Sequence, residues 1–123
     1  MSQNQDANTV EAQLDIYSGR RNPRWSLSDS QIQELSQRIA NQPDAQPIEP
    51  PGLGYRGFIV RNNARDPRLP SELRVYNGVI SAAVGGARQI TRDGAGVEDW
   101  LIAQAREQGQ GEALDALRGR SPS

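Results

Sequence analysis

The sequence predicts an α+β domain: a mostly antiparallel sheet of four or five strands with two helices packed on one face. Three observations carry that prediction. Val10, Ala12, Leu14 and Ile16 alternate with Glu11, Gln13, Asp15 and Tyr17, the period of a half-buried strand. Asn77-Gly78 lies between two further alternating runs and is the preferred pair for a two-residue hairpin turn. Residues 28–40 and 97–107 instead carry apolar side chains at helical spacing. The order strand, helix, strand, hairpin, strand, helix follows, and so small a sheet leaves its other face to solvent or to a partner.

The chain has 123 residues, room for one domain. Val, Ile, Leu and Phe together number 24, close to the composition below which chains stop folding. The companion condition for disorder is a high net charge, and the formal charge here is only −1. The apolar residues are also clustered. Residues 1–9 hold no Val, Ile, Leu or Phe, and 108–123 hold only Leu114 and Leu117. The expected organisation is a disordered tail at 1–9, a domain at 10–107, and a flexible tail at 108–123.

Each element has its own local cause. After the first strand, Gly19 and Asn22-Pro23 signal a turn. Ser28 then caps a helix with Gln31 three residues on, as in a capping box, and Leu27 can staple to Ile32. The apolar stripe of this helix is Ile32, Leu35 and Ile39. Four prolines (Pro43, Pro47, Pro50, Pro51) follow, in a segment that can cross the surface but cannot join a sheet interior. Phe58–Val60 centre the next strand. In the hairpin, Tyr76 is expected to face Val79, Val75 to face Ile80, and Leu73 to face Ala82, so that Leu73, Val75, Ile80 and Ala82 share one face. Gly85-Gly86 breaks the strand, ARQIT (87–91) forms another short one, and the second helix presents Val97, Trp100, Leu101 and Ala105 inward.

Absences narrow the chemistry. There is no Cys, His or Lys, and all 14 basic residues are Arg. That excludes disulfides, thiolate nucleophiles, thiolate or imidazole metal sites, Schiff bases and the P-loop lysine. A pI near 5.4 argues against a dedicated binder of duplex DNA, which needs a net basic face. No apolar run reaches the ~18 residues of a membrane span, and the polar N-terminal stretch lacks the apolar core of a signal peptide. The expected location is the cytoplasm.

Two motifs, SGRRNPRW (Ser18–Trp25) and GLGYRGF (Gly52–Phe58), resemble those of a set of small uncharacterised bacterial proteins. The resemblance spans the folded region and implies no activity, cofactor or site residue.

Three clusters are candidate sites. Arg20, Arg21 and Arg24 lie on a strand-to-helix connection beside Trp25, where guanidinium forks and backbone N–H groups can meet an anion and the indole can stack. The structural account of the same residues is that Trp25 plugs the core, Asn22-Pro23 shapes the turn, and the arginines pair with nearby acids. Gly85-Gly86 with Arg88 and Arg92 can form a small anion nest, or else a plain turn or bulge. Asp93, Glu98 and Asp99 bracket DGAGVED; they can contribute to an oxygen-ligated Ca²⁺ site, or Glu98 and Asp99 can simply favour the helix dipole.

The reading that follows is a non-enzymatic binding module recognising an acidic protein or a small anionic ligand through Arg20, Arg21, Arg24, Trp25, Arg88 and Arg92, with no cofactor. The alternatives are a Ca²⁺-responsive protein using Asp93, Glu98 and Asp99, and a small hydrolase built on carboxylates alone.

Overall fold

A computed structural model describes residues 8–16, 22–50, 52 and 54–117. The tail residues 1–7 and 118–123, and Arg20 and Arg21, lie outside the described residues.

The fold is α+β. Strands β1 (Val10–Leu14), β2 (Arg24–Ser26), β3 (Phe58–Asn62), β4 (Glu72–Tyr76), β5 (Val79–Val84) and β6 (Ala87–Arg92) form one antiparallel sheet in the order β2-β1-β3-β4-β5-β6. Helices α1 (Asp29–Ile39), α2 (Val97–Glu107) and α3 (Gly111–Leu117) complete it.

The sheet thus has six strands where the sequence predicts four or five, and β2 is the unanticipated one. Asn22 and Pro23 turn the chain back on β1: Ile16 N–H donates to Asn22 Oδ1 (3.1 Å), and Leu14 N–H donates to the Pro23 carbonyl (2.9 Å). Arg24, Trp25 and Ser26 then pair with Gln13, Ala12 and Glu11. Three residues after a proline are too few for alternation to announce a strand.

The Asn77-Gly78 hairpin has the expected register: Tyr76 opposite Val79, Val75 opposite Ile80, Leu73 opposite Ala82. Both turn residues have positive φ (51° and 84°), as a two-residue turn of this hand requires. Gly85 and Gly86 do the same between β5 and β6, with φ of 58° and 86° and Val84 opposite Ala87.

One face of the sheet meets the helices. Val10, Ala12, Leu14, Phe58, Val60, Leu73, Val75 and Ile80 are buried in one cluster with Ile32 and Leu35 of α1 and Val97, Leu101 and Ala105 of α2. Both halves of the α1 capping box form: Gln31 N–H donates to Ser28 Oγ, and Ser28 N–H donates to Gln31 Oε1. Trp100 is only partly buried, with the Arg38 guanidinium 5.5 Å from its ring centroid, while Ile102 and Gln104 are buried beyond what the helical stripe suggests.

Packing continues past residue 107. Leu114 of α3 is fully buried in the same cluster, so the boundary drawn at 107 falls inside the folded unit. A single buried leucine per short helix leaves too faint a periodicity to read in sequence.

After α1 the chain reaches the β6 edge. Asp44 bridges Thr91, Ala45 N–H donates to the Ile90 carbonyl (3.1 Å), and Arg92 N–H donates to the Pro43 carbonyl (2.9 Å). The proline segment then runs past the sheet face that the helices leave free and returns at Tyr55–Gly57.

Candidate functional site: an arginine-lined sheet face

Side chains alternate between the two faces of a strand, so the register fixes which residues share the face away from the helices. One cross-strand row reads Ser26, Glu11, Arg61, Glu72, Ala83, Arg88. The next reads Arg24, Gln13, Ile59, Arg74, Ser81, Ile90, and a shorter third reads Tyr76, Val79, Arg92. This face therefore gathers five arginines against two glutamates.

Its ion pairs are shared. Glu72 lies 4.0 Å from Arg61, 3.8 Å from Arg74 and 3.3 Å from Arg88, so one carboxylate serves three guanidiniums. Arg24 sits 3.6 Å from Glu11, which is itself buried, and Arg61 donates to Gln13 Oε1 at 2.7 Å. Arg88 also donates to the hydroxyl and the carbonyl of Ser81 (2.8 and 3.0 Å). The more exposed pairs around Glu72 contribute only about 0–1 kcal/mol each and are screened by salt. An excess of positive charge survives the pairing.

The arginines singled out in the sequence do not all converge. Arg24 on β2 and Arg88 and Arg92 on β6 share a face but stand at opposite edges, five strand spacings or about 24 Å apart. Between them lie Arg61 and Arg74, which no turn or motif marks in the sequence. FIVRN and ELRVY carry their arginines at polar positions of alternating runs, but only the register places both on one face.

Trp25 takes the structural role. Its ring meets Phe58 edge-on at 6.4 Å, and its indole N–H donates to Gln104 Oε1 at 2.8 Å. Asn22 Nδ2 donates to Asp15 Oδ1 (3.3 Å). In the second motif Tyr55 packs on Phe58 and Tyr76, with centroids 6.1 and 6.0 Å apart, so the two motifs meet in one aromatic cluster. The Gly85-Gly86 element is a hairpin turn.

Two of the three acidic residues, Asp93 and Glu98, are occupied by the fold. Asp93 accepts from Val97 N–H and Glu98 N–H (2.6 and 2.8 Å), capping α2 where Gly96 offers no side chain. Glu98 accepts from the Tyr55 hydroxyl and from Gly78 N–H, and Asp99 is exposed. Among the described residues no three acidic side chains are grouped so as to hold a metal ion.

Away from this face, Arg68 chelates Asp66 (2.7 and 2.9 Å) and reaches Asp29 on α1 (2.8 Å). Hydrogen bonds from the Arg68 side chain and backbone hold the Asp66 carboxyl at about 2, well below its ordinary value.

The fold and this face define an open antiparallel α+β domain with one helix-covered face and one cationic face. Comparison with family models, with curated proteins and with solved structures finds no match. Among the described residues no helix is long and apolar enough to cross a membrane.

Proposed function

We infer that the protein is a non-enzymatic interaction module that recognises an acidic protein surface through the arginine face of its sheet. The observation that carries this reading is the arrangement of Arg24, Arg61, Arg74 and Arg88 across the sheet with Glu72 shared among three of them. Guanidinium forks suit carboxylates, and a face of one predominant charge sign speeds encounter and selects partners more than it stabilises the fold. The composition adds support, since the chain has no imidazole, thiol or amine side chain to drive bond-making.

The test uses poly-L-glutamate as the acidic probe. Wild-type protein is expected to bind it at low ionic strength and to release it as salt rises. Replacing Arg24, Arg61 and Arg88 together by alanine should weaken binding by about tenfold or more. Glu72→Gln should strengthen it, by freeing three guanidiniums from their shared carboxylate. Equal binding by wild type and triple variant would refute the reading.

A further inference from the structure

The geometry points to a second, smaller site on the same face: a pocket for a small monocarboxylate with an apolar body, roofed by the proline segment. A cavity of about 380 Å³ lies between that segment and strands β4–β6. Small-molecule sites span roughly 300–1,000 Å³, so the volume suits a compact ligand and not a protein surface.

The floor comes from two adjacent cross-strand rows. Arg74, Ser81 and Ile90 are paired across three strands, and Tyr76 and Val79 stand side by side in the next row. The roof is Pro47 to Pro50. It is tied at one end by the Pro43 and Ala45 hydrogen bonds to β6, and at the other by Arg56 N–H donating to the Asp15 carbonyl (2.9 Å). Two prolines restrict the backbone of this strap, so holding it over the sheet loses less conformational entropy than an ordinary loop would. The strap also leaves Ile48, which lines the cavity, 38% exposed. An apolar residue of that size kept at a cavity wall favours a ligand that brings apolar surface of its own.

Charge selects the ligand's head group. Arg56 and Arg74 line the cavity with Glu49; Asp15 balances Arg56, whereas Arg74 shares Glu72 with Arg61 and Arg88, so with Glu49 counted one positive charge remains in excess. A monoanion balances that excess, whereas a phosphate dianion would add repulsion from Glu49. Arg56 Nε is buried without a hydrogen-bond partner and sits 3.5 Å from Asp15 Oδ2. Asp15 therefore balances Arg56, and Arg74 is the guanidinium left to meet a ligand carboxylate. Arg88 and Arg92 flank Ile90 on the same face of β6 and extend the positive field around the cavity. Ile90 and Val79 provide the apolar floor, and the Tyr76 ring a stacking surface.

This inference deepens the cationic reading of the face and shares Arg74 with it, but its roof, its apolar floor and its probe are its own, so the two fail separately. The experiment is a titration followed by backbone amide chemical shifts, with phenylpropionate as the probe and phenylpropionamide and acetate as its neutral and tail-less counterparts. Phenylpropionate is expected to give saturable shifts centred on Val79, Ser81 and Ile90, with the two counterparts binding about tenfold more weakly or worse. Arg74→Ala should weaken phenylpropionate by at least about fivefold, and Val79→Trp, which fills the cavity, should abolish its binding. Arg24→Ala, at the opposite edge of the sheet, should bind it as wild type does. Absence of saturable shifts at those amides, an equal response to the carboxamide, or wild-type binding by both Arg74→Ala and Val79→Trp would overturn the proposal.

Discussion

Leu73 and Val75 on β4 are 1% and 0% exposed, while Glu72 and Arg74, one residue along, belong to a network of ion pairs on the opposite face. The same strands therefore present two surfaces under different physical demands. Toward the helices, close packing of apolar side chains supplies most of the favourable free energy of folding. Toward the other face, each ion pair contributes little, and the arrangement is free to serve recognition. The contrast teaches where substitutions should hurt the fold and where they should hurt binding.

Four substitutions sharpen that contrast, in descending order of expected effect. Phe58→Ala removes the largest side chain fully buried among the described residues and the ring that meets Trp25 and Tyr55. A loss of about 3–5 kcal/mol in denaturant unfolding is expected. Gly57→Ala comes next. Gly57 has φ of +87°, and a Cβ there would lie 2.1 Å from the Val75 carbonyl oxygen, so the backbone must shift; about 3 kcal/mol is expected by the same measurement. Trp25→Phe keeps the ring packing but strips Gln104, buried at 7% exposure, of its indole donor, which should cost about 1–2 kcal/mol. Arg61→Ala on the other face is expected to change stability by no more than about 0.5 kcal/mol. A larger loss there would break the comparison, since the arginine face would then be holding the fold together.

A pH experiment probes a weaker contact that belongs to neither face. The Asp66 carboxyl is held at about 2 in the folded chain, against 3.8 ordinarily, by its hydrogen bonds with Arg68. A depressed carboxylate lends stability above its ordinary value and loses it as pH falls through the folded value. Acid unfolding followed by circular dichroism should therefore show a modest loss of stability between about pH 4 and pH 2 that Asp66→Asn no longer shows.

How far the sequence revealed this depended on how local the cause was. The Asn77-Gly78 turn dictates its own register, and the Ser28–Gln31 capping box announces α1, so both are legible from a handful of residues. Strand β2 depends on Asn22 reaching back to Ile16 N–H, and α3 on one leucine finding the core, and neither leaves a periodic trace. The cationic face was visible only in fragments. Arg24, Arg88 and Arg92 stood out because they neighbour glycines, a proline or a tryptophan, whereas Arg61 and Arg74 look like ordinary polar positions of alternating strands. What unites them is pairing between strands far apart in the chain, which a single sequence does not display.

The most direct measurement pairs binding with stability in the Arg24/Arg61/Arg88→Ala variant: its affinity for poly-L-glutamate across a salt series, and its unfolding in denaturant. The account predicts native-like unfolding, within about 1 kcal/mol of wild type, together with lost and salt-insensitive binding. A variant that binds poly-L-glutamate as tightly as wild type, with the same salt dependence, would contradict it.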